Sequence, residues 1–148
     1  MDMTYGEYLK LPELLKCQEV KTPHARDELL FIIIHQTYEL WFKQILHEYQ
    51  NLIDCVQERN STQSMKRINR ILKILKTIVS QMDILETMDP VMFKQFRQNL
   101  GTSSGFQSIQ FRLLEYHFGV KPAEFPSTLL LSSEERTQLQ EVYEGPTL

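Results

Sequence analysis

The sequence has few residues that crosslink a chain or break its helices. Its 148 residues include two cysteines, five glycines and six prolines. Cys17 and Cys55 are far apart, so a disulfide framework is not expected, and a reducing compartment, the cytoplasm, is predicted. The first residues lack the apolar core of a signal peptide, and the longest apolar run, residues 29–34, is too short to span a bilayer.

The chain also lacks a strong excess of charge. Its formal net charge is −3, with 24% charged and 42% hydrophobic residues, which is ordinary for a globular protein. Because no basic field would draw the chain to nucleic acid or to a membrane surface, neither partner is expected. The length predicts one domain, residues 1–148, made of an N-terminal arm (1–21) and a helical body (22–148).

Helical periodicity is abundant. Residues 28–59 contain no glycine or proline, and beyond residue 34 their apolar side chains recur at steps of one, three or four. The unbroken run 29–34 is expected to be buried on all sides, which needs cover from further helices or from another subunit. Thr22 and Pro23 are expected to cap this helix and to open its first turn, and Asp27 and Glu28 also favour its start.

A second long helix is predicted for residues 62–88. Its apolar stripe consists of Met65, Ile68, Ile71, Leu72, Leu75, Ile78, Val79, Met82 and Leu85. Five basic residues lie off the stripe and are interpreted as a solvated face, with an acidic partner surface as the alternative: Lys66, Arg67, Arg70, Lys73 and Lys76. The connection near Asn60 is short, so the two helices should be antiparallel. The predicted fold class is all-α, a helical bundle dominated by two long antiparallel helices.

Shorter helices complete the prediction. Pro90 opens a third helix that Gly101 ends, and a fourth helix follows with a hydroxyl-rich N-terminus at residues 102–105. A last short helix begins at Ser133. The one candidate strand, residues 127–131, is too isolated to pair.

His35 interrupts the apolar face of the first long helix. It lies four residues after Phe31 and three before Tyr38, on the same helical face. It is either a core histidine whose nitrogens bond to the backbone or to Tyr38, or a hydrogen-bonding or acid–base group in an apolar pocket. Phe31 beside it is equally a core residue or the wall of a site for a flat ligand.

A second candidate site combines Arg97 with residues 102–105. A guanidinium fits a carboxylate in a planar fork, and hydroxyls with the free N–H groups of a helix N-terminus favour an anion. Each feature alone has an ordinary explanation, a surface ion pair or a helix cap. Together they predict a carboxylate-binding site.

The spacing of possible ligands predicts no metal site. Glu39 follows His35 by four residues, but no third ligand is suitably placed, and neither HExxH nor a cysteine cluster occurs. Glu39 is interpreted as an ion-pair partner of Lys43, while His24 and His117 are expected to be exposed.

Three segments together resemble the tryptophan 2,3-dioxygenase family. They are TYGEYL at residues 4–9, DELLFIIIHQTYELWFKQILHE at residues 27–48 and FRQNLGTSSGFQSIQFRLLE at residues 96–115. The strings HQTYELWFKQ and SSGFQSIQFR are long and unusual, and the resemblance covers essentially the whole chain. It implies an all-α, haem-containing, cytosolic homotetramer that inserts both atoms of O2 across the indole C2–C3 bond of L-tryptophan, giving N-formylkynurenine.

The resemblance also implies roles for single residues. It makes His35 the catalytic distal histidine, which accepts a hydrogen bond from the indole N–H. It makes Phe31 the aromatic wall of the substrate site and Arg97 the partner of the substrate carboxylate. Phe93 stands where family members have Tyr or Phe and can pack but cannot donate a hydrogen bond. Contacts with both substrate and haem are implied for Ser104 and Gly105.

The N-terminal arm carries a further implied contact. On its residues alone, the arm docks equally well on its own chain or in a neighbouring subunit. The resemblance favours the second arrangement, in which Tyr5, Tyr8 and Leu9 complete the substrate pocket of a neighbour.

The family's chains are longer, and the proximal histidine that binds the haem iron lies beyond the last residue of this sequence. No metal ligand is therefore assigned here, and the chain is expected to be part of a larger haem-dioxygenase fold, to supply the distal pocket and to be inactive alone. Two other hypotheses stay open. One is a shortened, non-catalytic relative that binds tryptophan or another indole acid, and the other is a purely structural helical assembly.

Overall fold

Two long helices form the centre of the computed structural model, which describes residues 2–147; the terminal residues of the predicted domain, Met1 and Leu148, lie outside that range. Within it there are α-helices and short 3-10 turns but no strand, which confirms the all-α prediction. In chain order the α-helices are α1 (Tyr5–Tyr8), α2 (Leu11–Leu14), α3 (Glu28–Gln57), α4 (Ser61–Leu85), α5 (Pro90–Arg97), α6 (Ile109–His117) and α7 (Ser133–Glu144). The 3-10 turns are Gln98–Leu100 and Gly105–Gln107.

Helices α3 and α4 pack side by side and run antiparallel, as predicted. Near the connection, Glu48 of α3 contacts Arg67 of α4, and far from it the Thr37 hydroxyl lies 3.4 Å from the amide oxygen of Gln81. Residue numbers thus fall along one helix as they rise along the other. The three connecting residues include Arg59, whose φ of +57° lets the chain reverse sharply.

The start of α3 differs from the prediction. The helix begins at Glu28 rather than at Pro23, because the Glu28 carboxylate turns back and accepts the backbone N–H groups of Lys21 and Thr22 at 2.9 and 2.7 Å. Thr22 is buried, and its hydroxyl accepts a hydrogen bond from Asn99 at 2.6 Å. These contacts between distant residues hold 21–27 as a tight turn instead of a helical one.

The core lies between the long helices and α6. It contains Ile45 and Leu52 of α3, Ile71 and Ile74 of α4, and Leu114 of α6. A second cluster on the other side of α6 joins it to α7 through Leu113, Tyr116 and Leu139. Helix α6 is therefore packed on two sides, which places the segment that precedes it against α3.

Much apolar surface remains outside this core. Within the run 29–34 only Ile34 is buried, whereas Leu29 and Ile33 are 43% and 42% exposed, so burial on all sides is not achieved by the described residues. Helix α4 also presents an exposed stripe at alternating steps of three and four residues: Met65, Ile68, Leu72, Leu75, Val79 and Met82. The described residues do not supply the cover that the sequence predicted for these side chains.

The basic face of α4 is not simply solvated. Arg67 and Arg70 donate to opposite oxygens of Glu48 at 3.1 and 2.8 Å, and this carboxylate of α3 is only 1% exposed. Gln44 donates a third hydrogen bond to it at 2.8 Å. Arg70 is exposed, as the sequence predicted, and Arg67 is half-buried. The acidic partner that both arginines share was missed, because it lies about twenty residues away. Among residues 2–147, no helix is both long and apolar enough to cross a membrane.

Candidate functional site

An open hollow of about 250 Å³ lies between the first half of α3 and the loop that precedes α6. One wall comes from α3, and the other comes from the stretch around the two 3-10 turns. The lining residues are Phe31, His35, Glu39, Leu100, Ser103, Ser104, Gly105, Gln107 and Ser108. The structure thus brings four of the predicted site residues, Phe31, His35, Ser104 and Gly105, to one place.

His35 offers a defined hydrogen-bonding atom to this hollow. Its Nδ1 lies 2.7 Å from the carbonyl oxygen of Phe31, one helical turn earlier. Because a carbonyl oxygen only accepts, Nδ1 must carry the hydrogen, and in the neutral imidazole Nε2 is then the free acceptor. The half-buried imidazole is therefore oriented by its own helix. Nε2 of His35 can therefore accept a hydrogen bond from a flat ligand in the hollow.

Phe31 is held by an aromatic cluster. Its ring centroid lies 4.0 Å from that of His35, 6.0 Å from that of Phe93 and 5.4 Å from that of Phe96. Phe93 and Phe96 meet edge to face at 5.3 Å, and Phe96 is fully buried. Phe31 and Phe93 were predicted as site residues, but the supporting role of Phe96 was missed. Its position three residues after Phe93, on the same helical face, was a usable signal.

Arg97 does not line the hollow. Its guanidinium is exposed and donates to the carbonyl oxygen of Gly101 at 3.2 Å. Through this bond Arg97, the last residue of α5, contacts the stretch between Leu100 and Ser103 of the second wall. One of its five N–H donors is used in this bond, and the other donors are available to an anionic group.

The sequence predicted residues 102–105 as the N-terminus of the fourth helix, but that helix, α6, begins only at Ile109. Ser104 caps the 3-10 turn Gly105–Gln107, and its backbone N–H in return donates to the side-chain oxygen Oε1 of Gln107 at 3.1 Å. Helix α6 has its own cap, Ser108. Because a three-residue turn carries little aligned dipole, the helix-dipole part of the anion argument is wrong. The hydroxyls still line the hollow.

Glu39 is a lining residue whose partner was mispredicted. Its carboxylate accepts a hydrogen bond from Gln110 at 2.8 Å, and the described ion pairs do not include one with Lys43. Gln110 lies on α6, 71 residues further along the chain. No local pattern connects residues so distant, which is why the sequence analysis chose a neighbour on the same helix.

The predicted arm residues lie outside this hollow. Tyr5 and Tyr8 are 76% and 74% exposed, so the arm does not dock these two rings on its own chain, whereas Leu9 is 39% exposed and therefore partly covered. Nearer the end of the arm, Gln18 donates to the Gln36 side chain at 2.7 Å, which attaches this part of the arm to α3 beside His35.

The remaining histidines and acids form no metal centre among residues 2–147, where no group of three or more His, Cys, Asp or Glu side chains is arranged to hold an ion. His24 is exposed, as predicted, but His117 is half-buried against Tyr49, with ring centroids 4.3 Å apart. Burial, with a smaller contribution from the charge of Lys121, lowers the pKa of His117. The prediction that this residue is exposed was wrong because Tyr49 covers it.

Comparison with known proteins extends over nearly the whole chain. The family model described as tryptophan 2,3-dioxygenase matches residues 1–141. The chain is 49% identical to the tryptophan 2,3-dioxygenase of Herpetosiphon aurantiacus, over 99% of this chain and 56% of that protein. It is 48% identical to the one of Anopheles gambiae, over 80% of this chain and 33% of that protein.

A third relative, the tryptophan 2,3-dioxygenase of Nocardioides sp., is 43% identical over 99% of this chain and 57% of its own length. The chain thus spans about half the length of the curated bacterial relatives it matches. With the family model covering residues 1–141 and identities near one half, the chain belongs to the tryptophan 2,3-dioxygenase family.

Proposed function

We propose that this chain provides the substrate-orienting wall of a haem-dependent dioxygenase, an oxidoreductase that inserts both atoms of O2 across the C2–C3 bond of L-tryptophan and yields N-formylkynurenine. Family membership supports the reaction class. The observation that carries the proposal is the free Nε2 of His35, held beside the ring of Phe31 at the hollow between α3 and the loop before α6.

An indole side chain needs this kind of lining. It is a flat apolar ring with one N–H donor, so it gains from aromatic contact and from a single acceptor. Phe31 offers the ring face, and His35 offers the acceptor. Since the Nδ1–H bond to the Phe31 carbonyl prevents the imidazole from presenting its other nitrogen, the indole is held in one orientation.

The amino-acid end of the substrate requires charged and polar partners. Arg97 is assigned to the carboxylate, since its exposed guanidinium has donors to spare near the second wall. Ser104 and Gly105 are assigned to the substrate and to the cofactor edge, because both line the hollow. Phe93 is assigned to packing alone, since it has no hydroxyl and supports Phe31.

The second wall is open to a flat cofactor such as haem. Gly105 is exposed, and a Cβ placed on it would meet nothing within 4 Å, so no side chain stands in the way at this position. Haem, when bound, supplies the activation of O2, and this chain's residues orient the substrate and limit its contact with water. No iron ligand is assigned to a residue of this chain.

Association of several copies is part of the proposal. The stripe on α4 presents six exposed apolar side chains, and Leu29 and Ile33 are exposed near the start of α3. Contiguous exposed apolar side chains of this kind favour contact with another surface. Tyr5, Tyr8 and Leu9 are assigned to the pocket of a neighbouring copy in a homotetramer, because their side chains are exposed on their own chain. The two free cysteines agree with a cytoplasmic location.

The test uses the protein as its gene encodes it, supplied with haem. Incubation with L-tryptophan and O2, followed by chromatography, is expected to give N-formylkynurenine in step with substrate loss. Haem-loaded protein that leaves L-tryptophan untouched contradicts the enzymatic proposal. Calorimetry then separates the remaining hypotheses, because a binding module still takes up L-tryptophan and a structural assembly does not.

A further inference from the structure

One amide side chain joins the two walls of the hollow. Nε2 of Gln110 donates to the carboxylate oxygen Oε2 of Glu39 at 2.8 Å and to the main-chain oxygen of the same residue at 2.9 Å. Both hydrogens of the Nε2 group are therefore engaged, and both acceptors belong to one turn of α3. The pair of bonds is referred to below as the Gln110–Glu39 clasp.

The clasp lies beside a part of the second wall that has few other hydrogen bonds to the rest of the chain. Among the described residues, the hydrogen bonds of segment 103–108 all stay within residues 100–112. The side chains of residues 103–106 are exposed. Gln110 follows this segment by two residues, and it is the point at which the wall is hydrogen-bonded to α3.

The other end of the clasp lies next to the predicted catalytic histidine. Glu39 is one helical turn after His35, and both residues line the hollow. A displacement of Gln110 relative to Glu39 would therefore change the separation between the His35 imidazole and the loop that carries Ser104.

Apolar packing holds α6 in place independently of the clasp. Phe111 of α6 packs on Phe42 of α3 with ring centroids 5.4 Å apart, and Leu114 is buried against Ile45. Loss of the two hydrogen bonds should therefore loosen the wall more than it unfolds the helix.

We propose that Gln110 is a positioning residue: through Glu39 it fixes segment 103–108 opposite His35, so that the indole N–H and the carboxylate of L-tryptophan reach their partners together. This inference rests on the proposed function for its substrate. The position of the clasp itself is a property of the fold.

The test compares Gln110→Leu with the matched variant Gln140→Leu in the haem-loaded protein. Gln140 also donates to a glutamate, Glu144, at 2.8 Å, but it lies exposed on α7. Gln110→Leu is expected to raise the KM for L-tryptophan about twofold to tenfold, in line with one net hydrogen bond, while kcat changes less. Gln140→Leu should leave both constants unchanged.

Hydrogen exchange gives a second readout that does not depend on the substrate. Amides in residues 103–108 should exchange about fivefold to tenfold faster in Gln110→Leu than in Gln140→Leu. If the leucine variant folds poorly, Gln110→Asn replaces it in this measurement. Its shorter side chain cannot reach both acceptors, so the same increase in exchange is expected. Unchanged exchange in both Gln110 variants overturns the inference, even in an active enzyme. Faster exchange in a protein that does not use L-tryptophan supports the clasp and removes only the proposed substrate.

Discussion

Nδ1 of His35 points at the carbonyl oxygen of Phe31, 2.7 Å away, while the two rings lie 4.0 Å apart. A single turn of α3 therefore sets both the tautomer of the histidine and the place of the aromatic wall. The side chain that the sequence marked as unusual is oriented by a local bond, and its remaining nitrogen is free for a ligand.

Replacing His35 by phenylalanine should weaken binding only of ligands that carry the indole N–H. We expect His35→Phe to lower the affinity for L-tryptophan about twofold to tenfold, the value of one net hydrogen bond. The analogue with sulfur in place of the indole N–H should bind both proteins equally. Calorimetry with the two ligands measures the difference, and an equal loss for both would mean that His35 acts only through packing.

Replacing Arg97 should affect the carboxylate alone. A charge-assisted hydrogen bond contributes about 1.5–3 kcal/mol, so Arg97→Gln should weaken L-tryptophan binding about tenfold to a hundredfold. Tryptamine, which has no carboxylate, should bind the variant as it binds the parent protein. Parallel titrations with both ligands are the measurement, and unchanged binding of L-tryptophan would remove Arg97 from the site.

Replacing Glu48 should cost more stability than replacing an exposed glutamate. Glu48→Ala removes the acceptor of three hydrogen bonds, but Arg67 and Arg70 are partly exposed and regain water. We expect a loss of about 1–3 kcal/mol in the free energy of unfolding, measured with urea. Glu19→Ala, which breaks the exposed pair with Lys21, is the control and should leave stability unchanged.

The Glu48 carboxylate should also make the free energy of unfolding depend on pH in the acidic range. Burial alone raises the pKa of Glu48, but the hydrogen bonds and charges of Arg70 and Arg67 outweigh it, so the net pKa lies below the usual 4.5. A lowered pKa in the folded state contributes stability above pH 4.5 that is lost as the pH falls toward the folded pKa. Glu48→Gln should therefore flatten the pH dependence of unfolding below pH 4.5 and leave it unchanged near neutrality.

His117 should contribute a second pH dependence at higher pH. Burial lowers its pKa below the usual 6.5, so the unfolded chain takes up a proton that the folded chain resists. Stability should rise with pH between the folded pKa and about 6.5 and then level off. His117→Phe keeps a ring against Tyr49 and should remove this slope. Melting curves from pH 5 to pH 8 test it, with His24→Phe, an exposed histidine, as the control.

Charges placed on the α4 stripe should separate associated copies. The double variant Leu72→Lys, Val79→Lys puts two ammonium groups on an exposed apolar stripe, which opposes burial against another surface. Sedimentation velocity should then give a smaller species than the parent protein gives. Thr77→Lys adds a charge to the same helix off the stripe and should not change the mass. Equal masses for all variants would assign the stripe to something other than copy-to-copy contact.

The sequence by itself determined the features that follow from local periodicity. Apolar residues at helical steps specified both long helices, and the short connection at residues 58–60 made them antiparallel. The strings around His35 and Ser104 were sufficient to identify the family, because long matched motifs do not depend on the fold being known.

Tertiary structure decided which distant side chains meet. Asn99 donates to the hydroxyl of Thr22 before α3, Arg67 and Arg70 both donate to Glu48, and Glu39 accepts from Gln110 rather than pairing with the nearer Lys43. Each is a buried or half-buried polar group that must find a partner once water is removed. The partner is set by how the helices pack, since residues separated by 71 positions share no local pattern.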